Sequence, residues 1–273
     1  MKFQQPVILE NGAALFIPPD PIDGMFRLTR PDVYGIDSVQ RYPLGTKLVM
    51  GDWTFRYAQA DAALANVARL VINSHYAPGC TGHEDEDGVE GALYAAGTAG
   101  DTYVDVADTE ARAKNYYEGA YLVYFASGHY VTQRIKKSDA GNGSTHVRCY
   151  LSEPLKYDVS TSIGITAYLS PFSGIKAAQS TNQEYEAFMG LNLVTVTSGY
   201  YFWLLRNGPA WVTAHGGTWP GSAAHYRDVF AHMDGTVDPS SVADPTSGYQ
   251  RVGYLISSTV SSYGDAFVWL QFE

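Results

Sequence analysis

The sequence predicts a mainly β fold, built from β-barrel or β-sandwich domains with one short helix and an extended Pro-rich N-terminal arm. Three observations carry that expectation. Tyr and Gly are abundant (21 and 27 of 273 residues) and charged residues make up only 17%, a composition that suits short strands and tight turns. Runs of alternating apolar and polar residues recur, bounded by Gly, Asn, Asp or Ser. The densest apolar stretch, VTVTSGYYFWLLRNGPAWVTAHGG from Val194 to Gly217, combines aromatic and β-branched side chains with an Asn-Gly pair.

Residues 1–43 form the expected arm. Pro6, Pro18, Pro19, Pro21, Pro31 and Pro43 prevent helix and interrupt sheet pairing. The apolar pieces between them, Val7 to Leu9 and Ala14 to Ile17, are too short to make a core alone. Such an arm suits either a neighbouring subunit or the chain's own body.

Residues 44–173 read as a β-rich domain with the one short helix. Leu44 to Tyr57 is a hairpin turning at Met50-Gly51-Asp52. Between Ala58 and Asn73, Leu64, Val67, Ala68 and Val71 fall at i, i+3, i+4 and i+7, the apolar stripe of a helix. Asp61 stands near its start, where a carboxylate favours the helix dipole. A Gly-rich loop from Tyr76 to Gly100 carries the acidic run Glu84 to Asp87. Strands follow at Thr102 to Val106, at Ala120 to Phe125 and Tyr130 to Lys136 around Ser127-Gly128, at His146 to Leu151, and at Ile163 to Leu169.

A polar connector from Gly174 to Met189 leads into residues 174–273, read as a β-barrel-like domain. Here Asn207-Gly208 supplies the two positive-φ residues of a tight hairpin turn, and Pro209 must sit at a strand start or a bulge because it lacks an N–H. A long loop, Gly216 to Gly248, precedes two closing strands, Gln250 to Ser257 and Asp265 to Phe272. No repeat of fixed period is visible.

Charge and motifs then narrow the function. A formal net charge of −10 and a pI near 5.1 argue against nucleic-acid binding, which needs a basic stripe. No apolar run is long enough to span a membrane, and the opening MKFQQPVILENG lacks the apolar core of a signal peptide. Cys80 and Cys149 are far apart and belong to no CxxC, which suits two reduced thiols. His75, Cys80 and His83 match no spacing of closed zinc sites, and the run at Glu84 lacks the ligand pattern of a Ca²⁺ loop. Both read as solvated loop.

Asp228, Asp234 and Asp265, with Trp211 and Trp219, are of the residue types a glycosidase uses, but nothing pairs the carboxylates. His215, His225 and His232 share one loop without a nucleophile in triad-like order, so they read as polar loop histidines. The expectation is therefore no catalysis, no metal and no cofactor. Tyr-rich, weakly charged surfaces are instead suited to partners. Phe16, Ile17, Tyr201, Trp203 and Trp211 are the expected apolar anchors of an interface, and Arg206 its charged hot spot.

Four pieces of sequence also carry a resemblance. TKLVMGDWTFRYAQADAALA, with Phe55-Arg56-Tyr57-Ala58, resembles a recurrent opening of tailed-phage virion proteins. TEARAKNYYEGAYLVY, with Tyr117-Glu118-Gly119 before Leu122 and Val123, resembles their strand element. SGYYFWLLRNGPAWV and RVGYLISSTVSSYGDAFVWLQF, with Val252-Gly253-Tyr254-Leu255, are similar to capsid cement (decoration, head-stabilising) domains. The resemblance implies a non-enzymatic virion protein that binds the major capsid protein and copies of itself, in a symmetric oligomer such as a trimer. Packaged DNA would repel so acidic a chain from the inner wall, which places it on the capsid's outer surface. Alternative readings are a tail or receptor-contacting glycan-binding protein and a polysaccharide depolymerase.

Overall fold

A computed structural model describes residues 6–9, 12–17, 31–75, 88–178, 187–215, 227–239, 250–258 and 266–273. Cys80, His83, the acidic run from Glu84 to Asp87, Trp219, His225 and Asp265 lie outside the described residues. Among the described residues there is no α-helix, and the named strands all pair antiparallel.

The larger sheet takes strands from both ends of the chain. Its amino-terminal members are β1 (Val7–Ile8), β2 (Ala14–Phe16), β3 (Ile36–Asp37), β4 (Lys47–Met50), β5 (Trp53–Gln59) and β6 (Arg69–Asn73). The smaller sheet is formed by the intervening β7 (Gly88–Gly91), β8 (Tyr103–Val106), β9 (Tyr121–Ala126), β10 (His129–Ser138), β11 (Val147–Leu151) and β12 (Ile165–Tyr168). The chain then returns to the larger sheet with β13 (Ile175–Ala177), β14 (Phe188–Asn192), β15 (Tyr201–Val212), β16 (Asp228–Ala231), β17 (Val237–Pro239), β18 (Arg251–Ser258) and β19 (Ala266–Gln271). The strands of residues 44–73 thus pair with strands beyond residue 174.

The smaller sheet runs β7-β12-β9-β10-β11-β8. Its ends meet through Tyr94 N to Asp105 O (2.7 Å) and Ala107 N to Ala92 O (3.1 Å), giving a barrel-like ring around Leu122, Tyr124, Ile135, Cys149 and Leu151. Its β9–β10 hairpin turns at Ser127 and Gly128, both with positive φ (52° and 79°), as a two-residue turn of the mirror-image type requires. That hairpin and the one at Gly51-Asp52 match the sequence expectation.

The larger sheet runs β1-β2-β4-β5-β15-β19-β18-β16-β17, with β14, β6 and β13 branching from β15. The branch closes on itself, since Asp61 N donates to Ile175 O at 2.8 Å. β15 is the spine. Its first half packs Phe202 and Leu204 into the small core inside this ring, with Ala58, Leu64, Val71 and Ile175. Trp203 and Leu205 point the other way, into the main core with Leu15, Leu48, Tyr57, Ile72, Val268 and Leu270. A strand covered on both faces reads as a continuous apolar run, which explains the density of Tyr200 to Leu205.

Four sequence expectations are corrected here. Asn207-Gly208 does not end a strand: β15 runs through it, with a register shift between Leu205 and Asn207. Gly208 (φ 114°) is needed because a Cβ there would lie 2.5 Å from Asp52 O, so the glycine answers a close approach of the β4–β5 turn. Pro209 directs its carbonyl at Trp53 Nε1 (2.8 Å), so its nitrogen faces the same edge, where β5 has ended and no ladder bond is due.

The helix from Ala58 to Asn73 is absent. The stretch holds the end of β5, an irregular crossing and β6. Leu64 pairs with Val196 as an isolated bridge and Ala68 is left-handed (φ 56°). Leu64 and Val71 are buried but Val67 is 47% exposed, so the apolar spacing served two separate strands' contacts and not one helical stripe. The described part of the Pro-rich arm is no free arm either. β1 and β2 add to the sheet edge at β4, and Leu9, Ala13 and Leu15 are buried in the main core. The long loop expected from Gly216 to Gly248 contains β16 and β17.

Candidate functional site

Beyond Gly208 the spine strand leaves the ring, and one of its faces is left uncovered. Ala210 and Val212 turn into the main core, so Pro209 and Trp211 turn outward. On β19 the same alternation buries Ala266, Val268 and Leu270 and turns out Phe267 and Trp269. The register places Trp211 opposite Phe267, Pro209 opposite Trp269, and Tyr254 of β18 opposite Trp269. Directly opposed side chains on one face are neighbours, so these residues make a continuous aromatic band. Tyr254 and Trp269 lie parallel, with ring centroids 6.3 Å apart and planes within 3°.

Trp53 joins the band's end through its bond to Pro209 O, and Ile256 is exposed in the β18 bulge. Trp53, Trp211, Tyr254, Ile256 and Phe267 are each between 37% and 47% exposed. The rim is polar: Arg251 donates to Asp228 at 2.9 Å and to Gln271 at 3.1 Å. An aromatic centre inside a polar rim is the anatomy of a protein-binding surface.

The expected interface residues are placed very differently from one another. Trp211 belongs to the band, opposite Phe267. Trp203 is 2% exposed and packs in the main core against Tyr42 and Tyr57, with centroids 5.2 and 5.1 Å away. Tyr201 is half-buried and stacks on Tyr57 at 5.8 Å. Phe16 and Ile17 are half-buried at the opposite edge of the sheet, where Phe16 pairs with Lys47 and Ile17 packs on the main core.

Arg206 is engaged within the chain. Its guanidinium donates to Met189 O and to Phe272 O (3.1 Å), and stands over the Phe272 and Phe172 rings. Glu273, which also receives Arg56 (2.6 Å) and Lys47 (2.9 Å), lies 3.6 Å from its Nε. Burial pulls Arg206 down to about 10, the Glu273 charge opposing it. Trp53, Tyr254, Phe267 and Trp269 were not anticipated. The alternation in AFVWLQ marks a strand, but only its pairing shows which alternate faces outward.

A second feature is the polar cleft of about 620 Å³ where the two sheets meet, bordered by Gln40, Asp61, His75, Glu118, Ser173 and Tyr201. The Glu118 carboxyl is pushed up by burial, against bonds from Gln40 and Leu44 N that lower it. Both of its oxygens already accept from Gln40. His75 Nε2 is 2.8 Å from Ser173 Oγ, yet that hydroxyl donates to Ser170 O at 2.8 Å, the reverse of a serine giving its proton to a histidine base. Asp228 and Asp234 engage different cations, Arg251 and Arg69. Among the described residues, His215, His232 and Asp234 are the one group placed to converge on a metal ion.

No protein-family model matches the chain, and neither a curated protein nor a solved structure matches it.

Proposed function

We propose that this chain is a structural protein of a tailed-phage virion, which binds the outer surface of the capsid and stabilises its lattice without catalysis. The observation that carries the reading is the aromatic band of Trp53, Trp211, Tyr254, Phe267 and Trp269 on an uncovered sheet face. A lattice protein meets many equivalent sites at once, so a modest patch repeated in every copy is sufficient through multivalency. The net charge of −10 favours the outer surface over the DNA-facing wall. The partners are the major capsid protein and further copies of this chain.

Copy number tests the proposal. Quantitative mass spectrometry of purified particles should count this chain at a ratio near one to the major capsid protein, or at a simple fraction such as one-third. Absence from particles overturns the reading. A handful of copies per particle favours the second reading, a tail or receptor-contacting glycan binder. That reading is supported by the exposed rings themselves, including Tyr130, 84% exposed beside Phe125 at the β9–β10 turn, because aromatic faces also stack on sugars.

A further inference from the structure

Where β15 ends, the chain brings together two histidines that stand 17 positions apart in sequence (215 and 232). His215 is held by its own backbone, whose N–H donates to Val237 O at 3.0 Å, while Ala214 bridges to Val237. His232 directly follows β16, and its N–H donates to Thr236 O at 2.9 Å. The tight turn that follows, with Gly235 left-handed (φ 81°), swings Asp234 back beside both rings. The two imidazole centroids are 3.8 Å apart. His232 Nδ1 is 2.8 Å from Asp234 Oδ1, and His215 Nδ1 is 4.0 Å from Asp234 Oδ2.

We propose that His215, His232 and Asp234 form a binding site for a divalent transition-metal ion, zinc first among them. One ligand atom from each residue lies within 4.8 Å of the others. Ligands at the usual zinc distance of about 2.1 Å stand about 3.4 Å apart in a tetrahedron, so modest rotations of three half-buried side chains close the site. Two imidazoles and one carboxylate are the donors that zinc, cobalt and nickel select over calcium or magnesium.

The surroundings suit the assignment. Asp234 Oδ1 also accepts from Thr236 N at 3.0 Å and from the Thr236 hydroxyl, which anchors the carboxylate. Burial alone would raise Asp234, but these bonds and His232 hold it down to about 2, so it carries its negative charge at neutral pH. On the other side of the ring, Asp238 Oδ2 lies 4.0 Å from His232 Nε2. Two touching imidazoles would repel if both were protonated, whereas a metal ion binds them neutral. One group opposes the ion: Arg69 Nη1 lies 3.6 Å from Asp234 Oδ2 and donates to Asp234 O at 3.1 Å. Zinc must compete with this guanidinium, which makes Arg69 a built-in brake on affinity.

The test is a zinc titration of the full chain against a chromophoric chelator, repeated with Co²⁺ to read its visible absorption. One ion per chain is expected. His215→Ala and His232→Ala should each weaken binding at least about tenfold, and Arg69→Gln should strengthen it. No stoichiometric binding, or binding kept by the double His215→Ala/His232→Ala variant, overturns the proposal. Should those variants fold poorly by near-ultraviolet circular dichroism, the unmodified chain decides: zinc should protect His215 and His232 from histidine-directed acylation, mapped by mass spectrometry. Protection confined to other histidines overturns it equally.

Discussion

The two halves of β15 are alike in composition and opposite in situation. From Tyr201 to Leu205 the strand separates two cores, with Phe202 and Leu204 on one side and Trp203 and Leu205 on the other. From Gly208 to Val212 the side chains of Ala210 and Val212 turn into the main core, and Trp211 is 47% exposed. Both halves are aromatic, and neither contains a charge apart from Arg206 at their junction. An aromatic side chain is therefore core or contact surface according to whether a second layer reaches it. Here β14, β6 and β13 form that layer for the first half and stop short of the second.

The sharpest way to break the comparison is to truncate one ring in each half. Phe202 is fully buried in the small core, and Phe202→Ala should lower unfolding stability by about 3–5 kcal/mol, read from urea denaturation midpoints. A loss under about 1 kcal/mol would show that the ring core is loosely packed and that the spine is covered on one face only.

The junction is the next test. Gly208 has a φ of 114° and its missing Cβ makes room for Asp52 O. Gly208→Ala combines backbone strain with a clash against main chain, and should cost about 2–3 kcal/mol. If Gly208 were a turn residue at an exposed hairpin tip, the same substitution would strain only φ and cost about 1 kcal/mol. Thermal melts with and without the change separate the two.

Much of this fold was legible in the sequence, and the failures share a cause. The β class, the Gly51-Asp52 and Ser127-Gly128 hairpins and the strands at Tyr103–Val106, Val147–Leu151, Arg251–Ser258 and Ala266–Gln271 all rest on local signals, namely alternation and turn residues. What failed was non-local. Asn207-Gly208 has the chemistry of a turn, and only the approach of Asp52, more than 150 positions away in sequence, shows that the glycine is there for clearance. Leu64 and Val71 satisfy helical spacing, but Leu64 forms an isolated bridge to Val196 and Val71 pairs with Ala177 of β13. The band was half legible for the same reason. Trp211 could be named from its residue type, whereas its neighbours Phe267, Trp269 and Tyr254 depend on register.

Electrostatics at the junction provide a smaller effect. Glu273 accepts from Arg56 and Lys47 beside Arg206. Burial would raise its carboxyl, but these partners more than offset it and hold the group below its usual 4.5. A carboxyl lowered in the folded state binds fewer protons there than when unfolded. Its stabilisation is thus complete above about 4.5 and is lost as pH falls through the lower folded value; Asp234, held down to about 2, behaves alike. Glu273→Gln should cost about 1 kcal/mol at pH 7 and flatten the decline in melting temperature as pH falls below about 4.5.

The smallest effect on stability is expected at Trp211, and there the comparison is decisive. Trp211 is 47% exposed and belongs to no core cluster, its cross-strand neighbour Phe267 is 42% exposed, and surface substitutions away from special features usually stay within about 0.5 kcal/mol. Trp211→Ser combined with Phe267→Ser should therefore leave the urea midpoint almost where it was. The same change removes two rings of the band, and buried aromatic anchors dominate binding where an interface forms. Incorporation into particles, or self-association measured by sedimentation, should fall at least about tenfold while folding is intact. Lost stability with unchanged assembly would assign these rings to the core and leave the band without a partner.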